Sequence, residues 1–369
     1  MNHAKNTSIK PAAWKVSLAT MVAAGTVFTQ TACVGGPATP KASASECPVH
    51  VNEDSATLRI AYLGSPLQDL YVYDQGYLDA CLPNVDVQWA RYPTGQDIVQ
   101  GFAAQSVDVG GLGSTPAAKA LSSPLDLDVL VPRVNTIVGS TEALVAKNAK
   151  SIKDLKGKKI AVPFSSTSHY SLLKALEDAG LDPSRDVTIT NISPDKLPAA
   201  WSSADIEAAY VWDPTLQTLK EHGGHVVLTS EDVAKLGAPT FNVTMVSRPW
   251  AETHAGVLDT WLKLQDYVTT KAADADPGYV EAVSIQSGMK VEDGQRQVTG
   301  QEYIPGNRQP EELKSLGHAL YDTADFLSQQ SEVSGAHEEK KYVDATTQWP
   351  FYRDTFGKKS ADQKSDDKR

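Results

Sequence analysis

From Thr57 onward, short apolar runs of strand length alternate with stretches whose apolar residues recur at helical spacing. Leu58 to Leu63 (LRIAYL) predicts a buried strand, and Gly64-Ser65-Pro66 turns the chain into a helical stretch ending near Cys81. Val85 to Tyr92 alternates as a second strand. Thr94 and Asp97 have capping-box spacing ahead of a helix over Ile98 to Ala104. Val107 to Leu112 predicts the next strand, with further strands over Leu125 to Val131 and Glu142 to Ala146. The capped and then basic turn Ser151 to Lys159 reads as a crossing from one lobe to another. Beyond it the pattern predicts strands at Ile160 to Pro163, Val187 to Asn191, Ala208 to Trp212 and His225 to Leu228. Helices over Ser168 to Ala179, Asp195 to Trp201 and Pro214 to His222 separate them. Gly237 to Val243 reads as a return crossing, with hinge bends near Ala143 to Lys147 and Asn242 to Val246. The remainder is helical, over Val257 to Ala272, Pro277 to Ser287 and Glu311 to Gln330.

Strands joined through helices imply an α/β fold with parallel or mixed sheets, whose ligands sit beyond the carboxyl ends of strands. Two segments stand at such ends. Gly110 to Ala118 (GGLGSTPAA) and Ala161 to Leu173 (AVPFSSTSHYSLL) each run from a strand through small hydroxyl residues into a helix start. The first N–H groups of a helix have no partner within it, and the partial positive charge there favours an anion. Ser114, Thr115, Ser166, Thr167 and Ser168 are therefore candidate anion contacts. Singly, each hydroxyl reads as a helix cap. As a pair of sockets about fifty residues apart, they read as two lobes closing on one small anionic ligand.

Composition narrows the setting. The chain has 369 residues, 41% hydrophobic and 21% charged, enough for one large or two modest cores. Its net charge is −11, and three lysines with no acid in residues 1–33 leave −14 on the rest, which argues against a nucleic-acid partner. No metal-binding or cofactor motif is present. Lysine-bearing residues 1–15, apolar Val16 to Phe28 and Thr31-Ala-Cys33 resemble a lipoprotein export signal, although Gln30 departs from that pattern. Residues 1–33 are thus expected to be a signal, with Cys33 lipidated and holding the protein to a membrane. Residues 34–55 read as a tether and 355–369 as a disordered tail. With Cys33 set aside, Cys47 and Cys81 form an even pair in an oxidising compartment; a disulfide is expected, and free thiols are the alternative.

Five segments carry a family resemblance: Gly111-Leu-Gly-Ser-Thr-Pro116, Ser140-Thr-Glu-Ala-Leu-Val145, Ile160 to Leu173, Ala209-Tyr-Val-Trp-Asp-Pro214 and Gly237 to Val243. Over residues 57 to 330 the chain resembles the substrate-binding proteins of ABC importers for taurine and aliphatic sulfonates. The resemblance implies a type II periplasmic-binding-protein fold with two crossovers: first lobe 56–145, second lobe 146–242, and a return to the first over 243–354. It also implies delivery of a small sulfonate to an ABC permease and its ATPase, without catalysis.

Taurine carries a sulfonate and an ammonium, so its site needs donors at one pole and a carboxylate or aromatic face at the other. Glu142 and Asp213 are the candidate carboxylates, Trp212 the candidate cation-π face and His169 a possible anion donor. At Asn242 the taurine branch carries an acid. An exchange to Asp213 would preserve ammonium recognition from another wall, or the solute is different: an alkanesulfonate, glycine betaine or nitrate. Position after the first strand adds Tyr62, Ser65, Gln68 and Asp69, and the C-terminal region adds Tyr303 and Asn307. Pyrimidine-synthase and desulfinase enzymes are similar to this fold but rely on cysteines in the cleft region, and no cysteine follows Cys81.

Overall fold

The computed structural model describes residues 46–356, so the export signal, Cys33, most of the proposed tether and nearly all of the proposed tail lie outside it. Two separate mixed sheets form the two lobes. The first contains β1 (Ala56–Tyr62), β2 (Val85–Arg91), β3 (Val109–Gly113), β4 (Val129–Ile137), β10 (Phe241–Ser247) and β11 (Glu302–Tyr303), in the order β11-β4-β10-β3-β1-β2. The second contains β5 (Glu142–Ala146), β6 (Lys159–Val162), β7 (Thr188–Asn191), β8 (Ile206–Trp212) and β9 (His225–Thr229), in the order β7-β6-β8-β5-β9. Parallel pairs are made through helices, while β10 runs antiparallel to β3 and β4, and β5 antiparallel to β8 and β9.

Burial explains why each sheet stands. Along β5, Leu144 and Ala146 enter one buried cluster with Ile160, Leu172 and Tyr210, whereas Ala143 and Val145 enter another with Leu197, Trp201 and Leu219. A strand covered on both faces reads as a continuous apolar run, as β5 does. The first lobe has one larger core in which Leu58, Ile60, Val109, Val134 and Met245 meet Trp261 of the helix Ala255–Ala273. A smaller cluster joins the lobes: Phe326, near the end of the helix Gln309–Gln329, packs with Tyr170, Leu173, Val233 and Ala238.

The structure departs from the sequence expectations at several places. β5 pairs within the second sheet, so the chain crosses at residues 138–141, ahead of the Ser151 turn. The return precedes Phe241, and Val138 N–H donates to Thr240 C=O at 2.9 Å, tying the two crossing segments together. The segments expected to bend, Ala143 to Lys147 and Asn242 to Val246, lie almost wholly inside paired strands, whose ladders resist bending. The strand expected at Leu125 is found at Val129–Ile137 instead. Residues 46–55 are not a free linker: Cys47 is bonded to Cys81, and Asn52 N–H donates to Cys81 C=O at 2.8 Å. At the other end, the helix Phe351–Phe356 extends into the first two residues of the expected tail.

Candidate functional site

The strand ends that face each other across the lobes build a cavity. From the first lobe come Gly113 and Asn242, which are paired across β3 and β10, together with Ser65, Gly95 and Pro116. From the second come Glu142 and Trp212, paired across β5 and β8, together with Ser166 and Thr167. Crossing residues Val138 and Thr141, the apolar Leu63 and Leu67, and Gln297 complete it. Its empty volume, mouth included, is about 490 Å³.

Both helix starts reach this cavity. Gly113 precedes the helix Ser114–Ala120, and Ser166 caps the helix Thr167–Asp178. They approach so closely that a Cβ on Gly113 would lie 2.7 Å from Thr167 Cγ2. Gly113 has φ −76° and ψ 159°, which alanine adopts without strain. Gly113→Ala is therefore expected to leave the unliganded protein's stability nearly unchanged while wedging the lobes apart and weakening ligand. Calorimetry combined with small-angle scattering checks this; undiminished affinity and an unchanged compaction on ligand addition would refute the wedge.

The hydroxyls are used differently from the sequence expectation. Thr167 Oγ1 donates to Glu142 Oε2 at 2.6 Å, and Ser166 Oγ donates to Pro163 C=O at 2.6 Å while accepting from His169 N–H. Ser114 Oγ accepts from Phe241 N–H at 3.2 Å. The Thr115 hydroxyl is buried without a hydrogen-bond partner, and Ser114, Thr115 and Ser168 do not line the cavity. At the second socket Ser166 and Thr167 line the cavity at the first turn of the helix, which carries a partial positive charge.

Glu142 is 2% exposed, and Ser230 Oγ donates to its Oε1 at 2.7 Å. Burial pushes its carboxyl up from the ordinary value, against the opposing pull of the Thr167, Ser230 and Ser168 hydroxyls. Among the described residues lining the cavity, Glu142 alone is ionisable. Asp213 is elsewhere: its Oδ1 accepts from Gln217 N–H at 3.0 Å, capping the next helix, and burial raises its pKa to about 6. The supposed exchange of an acid from Asn242 to Asp213 finds no geometric support; Asn242 Nδ2 donates to Thr136 Oγ1 at 2.9 Å from the cavity wall. His169 is also turned to structure. Its ring stacks on Phe164 at 4.7 Å, its Nδ1 accepts from Ser165 N–H, and burial lowers its pKa to about 4.

Of the positional guesses, Ser65 lines the cavity and its hydroxyl donates to Asp213 C=O across the lobes at 3.4 Å. Tyr62 stacks with Tyr73, Gln68 and Asp69 are buried within the first lobe, Tyr303 accepts from Gln301, and Asn307 is exposed. Gln297 escaped the sequence reading. It lies on the helix Val291–Thr299, whose VEDGQRQVT sequence has too few apolar positions to show helical periodicity.

Comparison with known proteins agrees with this architecture. The profile of the NMT1-like family matches residues 84–278. The taurine-binding periplasmic protein of Escherichia coli (strain K12) is 37% identical over 266 residues, 70% of this chain and 82% of that protein. The chain belongs to the NMT1-like family. A putative aliphatic sulfonates-binding protein of the same organism is 29% identical over 229 residues, 59% of this chain and 69% of that protein. The alkanesulfonate-binding protein from Xanthomonas axonopodis pv. citri bound to MOPS superposes with a TM-score of 0.66, covering 80% of this chain and 99% of that one at 20% identity, a likeness of fold. As an NMT1-like member, the protein is a type II periplasmic-binding-protein receptor. It is homologous to the taurine and sulfonate receptors of ABC importers, and it captures a small solute for a permease without catalysing a reaction.

Proposed function

We propose that the solute is taurine. The observation that carries this reading is the charge inventory of the cavity: a buried carboxylate, Glu142, and no basic side chain among the described lining residues. A solute that is only an anion, such as nitrate or an alkanesulfonate, would meet that carboxylate with nothing to compensate it. A zwitterion brings its own cation. Taurine's ammonium would pair with Glu142 beside the Trp212 face, and its sulfonate would take N–H donors from the Gly113 and Ser166–Thr167 starts. A cavity of about 490 Å³, mouth included, suits a small solute. Glycine betaine is disfavoured because Trp212 is the sole aromatic among the described lining residues.

The lysine-bearing start, the apolar Val16 to Phe28 and Thr31-Ala-Cys33 support the rest of the reading: residues 1–33 act as a signal, and a lipid on Cys33 holds the receptor near its permease. The test is a thermal-shift and calorimetric panel of taurine, ethanesulfonate, a longer alkanesulfonate, glycine betaine and nitrate. Taurine is expected to raise Tm most, since a ligand at about 100 times its Kd stabilises the folded state by about 2.7 kcal/mol. Ethanesulfonate binding as tightly as taurine would defeat the zwitterion reading.

A further inference from the structure

The helix Val291–Thr299 runs past the cavity between the second lobe and the crossing segment. Just before it, Lys290 Nζ reaches Glu221 Oε1 of the second lobe at 2.8 Å. Just after it, Gly300 C=O accepts from Ser140 N–H at 2.9 Å in the first crossing segment. On its inner side it packs too closely for any side chain at Gly294, where a Cβ would lie 1.8 Å from Ser284 Oγ. Gln297 stands one turn further along the same face. It is 4% exposed, lines the cavity, and its Oε1 is buried with no hydrogen-bond partner.

A buried carbonyl oxygen left unpaired weakens the fold unless a donor arrives from elsewhere. We infer that Gln297 is a specificity-determining contact, its side-chain carbonyl accepting from the ligand's ammonium in addition to Glu142. The inference rests on the zwitterion reading above and deepens it. Glu142 already receives hydroxyls from Thr167 and Ser230, whereas an ammonium offers three N–H donors and gains from a second acceptor. Because Gln297 is buried on a helix packed tightly at Gly294 against Ser284, that acceptor is held before the ligand arrives, which limits the ordering cost of binding.

The test measures taurine and ethanesulfonate affinities by calorimetry on the full chain for wild type, Gln297→Met and Gln297→Glu. Methionine keeps the length and removes the acceptor; it is expected to weaken taurine about tenfold and to leave ethanesulfonate within about threefold. Glutamate keeps acceptors, so taurine preference over ethanesulfonate is expected to hold or grow. It also covers the case in which the methionine variant fails to fold. Equal weakening of both probes by methionine, or loss of taurine binding in the glutamate variant, overturns the assignment, since an amide donating to the sulfonate would give those results. If wild type itself does not prefer taurine, the zwitterion reading has failed and Gln297 falls with it. If wild type prefers taurine and the methionine variant keeps that preference in full, the Gln297 assignment alone is wrong.

Discussion

Glu142→Gln is expected to weaken taurine by roughly 10- to 100-fold, the loss that follows from removing a charge-assisted hydrogen bond of about 1.5 to 3 kcal/mol. Ethanesulfonate is expected to bind the variant at least as well as it binds wild type, because the repulsive carboxylate is gone. The unliganded variant is expected to be as stable as wild type or more so at neutral pH, since the lost group is a desolvated acid. The sign follows from burial raising the Glu142 carboxyl. Below that raised value the acid is neutral in the folded state, so taurine affinity falls as pH is lowered through it. For the empty protein the folded state holds its proton more tightly than the unfolded one, so stability falls as pH rises through the same window. Calorimetry across pH on wild type and variant reads all of this. A variant that keeps both taurine affinity and its pH dependence would remove Glu142 from the site.

The second large effect is on stability alone. Cys47–Cys81 closes a loop with a sequence separation of 34 residues, for which the loss of unfolded-chain entropy amounts to about 3 to 4 kcal/mol. Cys47→Ser is expected to lower Tm by about 5 °C for a domain of this size, with taurine affinity unchanged because neither cysteine lines the cavity. Differential scanning calorimetry with and without reductant checks it. A shift below about 1 °C would mean that the Asn52–Cys81 hydrogen bond and the packing of Val49 already hold residues 46–55 in place.

Local pattern carried most of the fold into view. The strand-to-helix junctions at Gly113 and Ser166 were legible because apolar runs ending in small hydroxyl residues have few other local solutions. β4 was misplaced for a physical reason. Leu125-Asp-Leu-Asp128 alternates like a strand, yet Asp126 takes a positive φ of 44°. The true strand contains Pro132 and Arg133, both of which look like terminators. Its register with β10 shifts between Leu130 and Arg133, an irregularity that tolerates proline. Arg133 is fully buried against Asp266, Tyr352 and Thr269, partners 133, 219 and 136 residues away. Such partners are invisible to local periodicity. The same limit governs the site. Thr167 and Glu142 were both named from the sequence, but that one donates to the other depends on how β5, paired with β8 and β9, sits against the helix start. Gln297 was hidden because it belongs to a helix defined by what it packs against.

The cavity's walls belong to different lobes, and this sets the residence time of whatever they enclose. A solute held by Asn242 and Gly113 on one side and by Glu142 and Trp212 on the other keeps only half of its contacts once the lobes part. Escape is then governed by the rate of opening rather than by each contact in turn. A partner that held the two lobes apart would therefore release the cargo without a competing site of its own, because each separated wall keeps only part of the contacts.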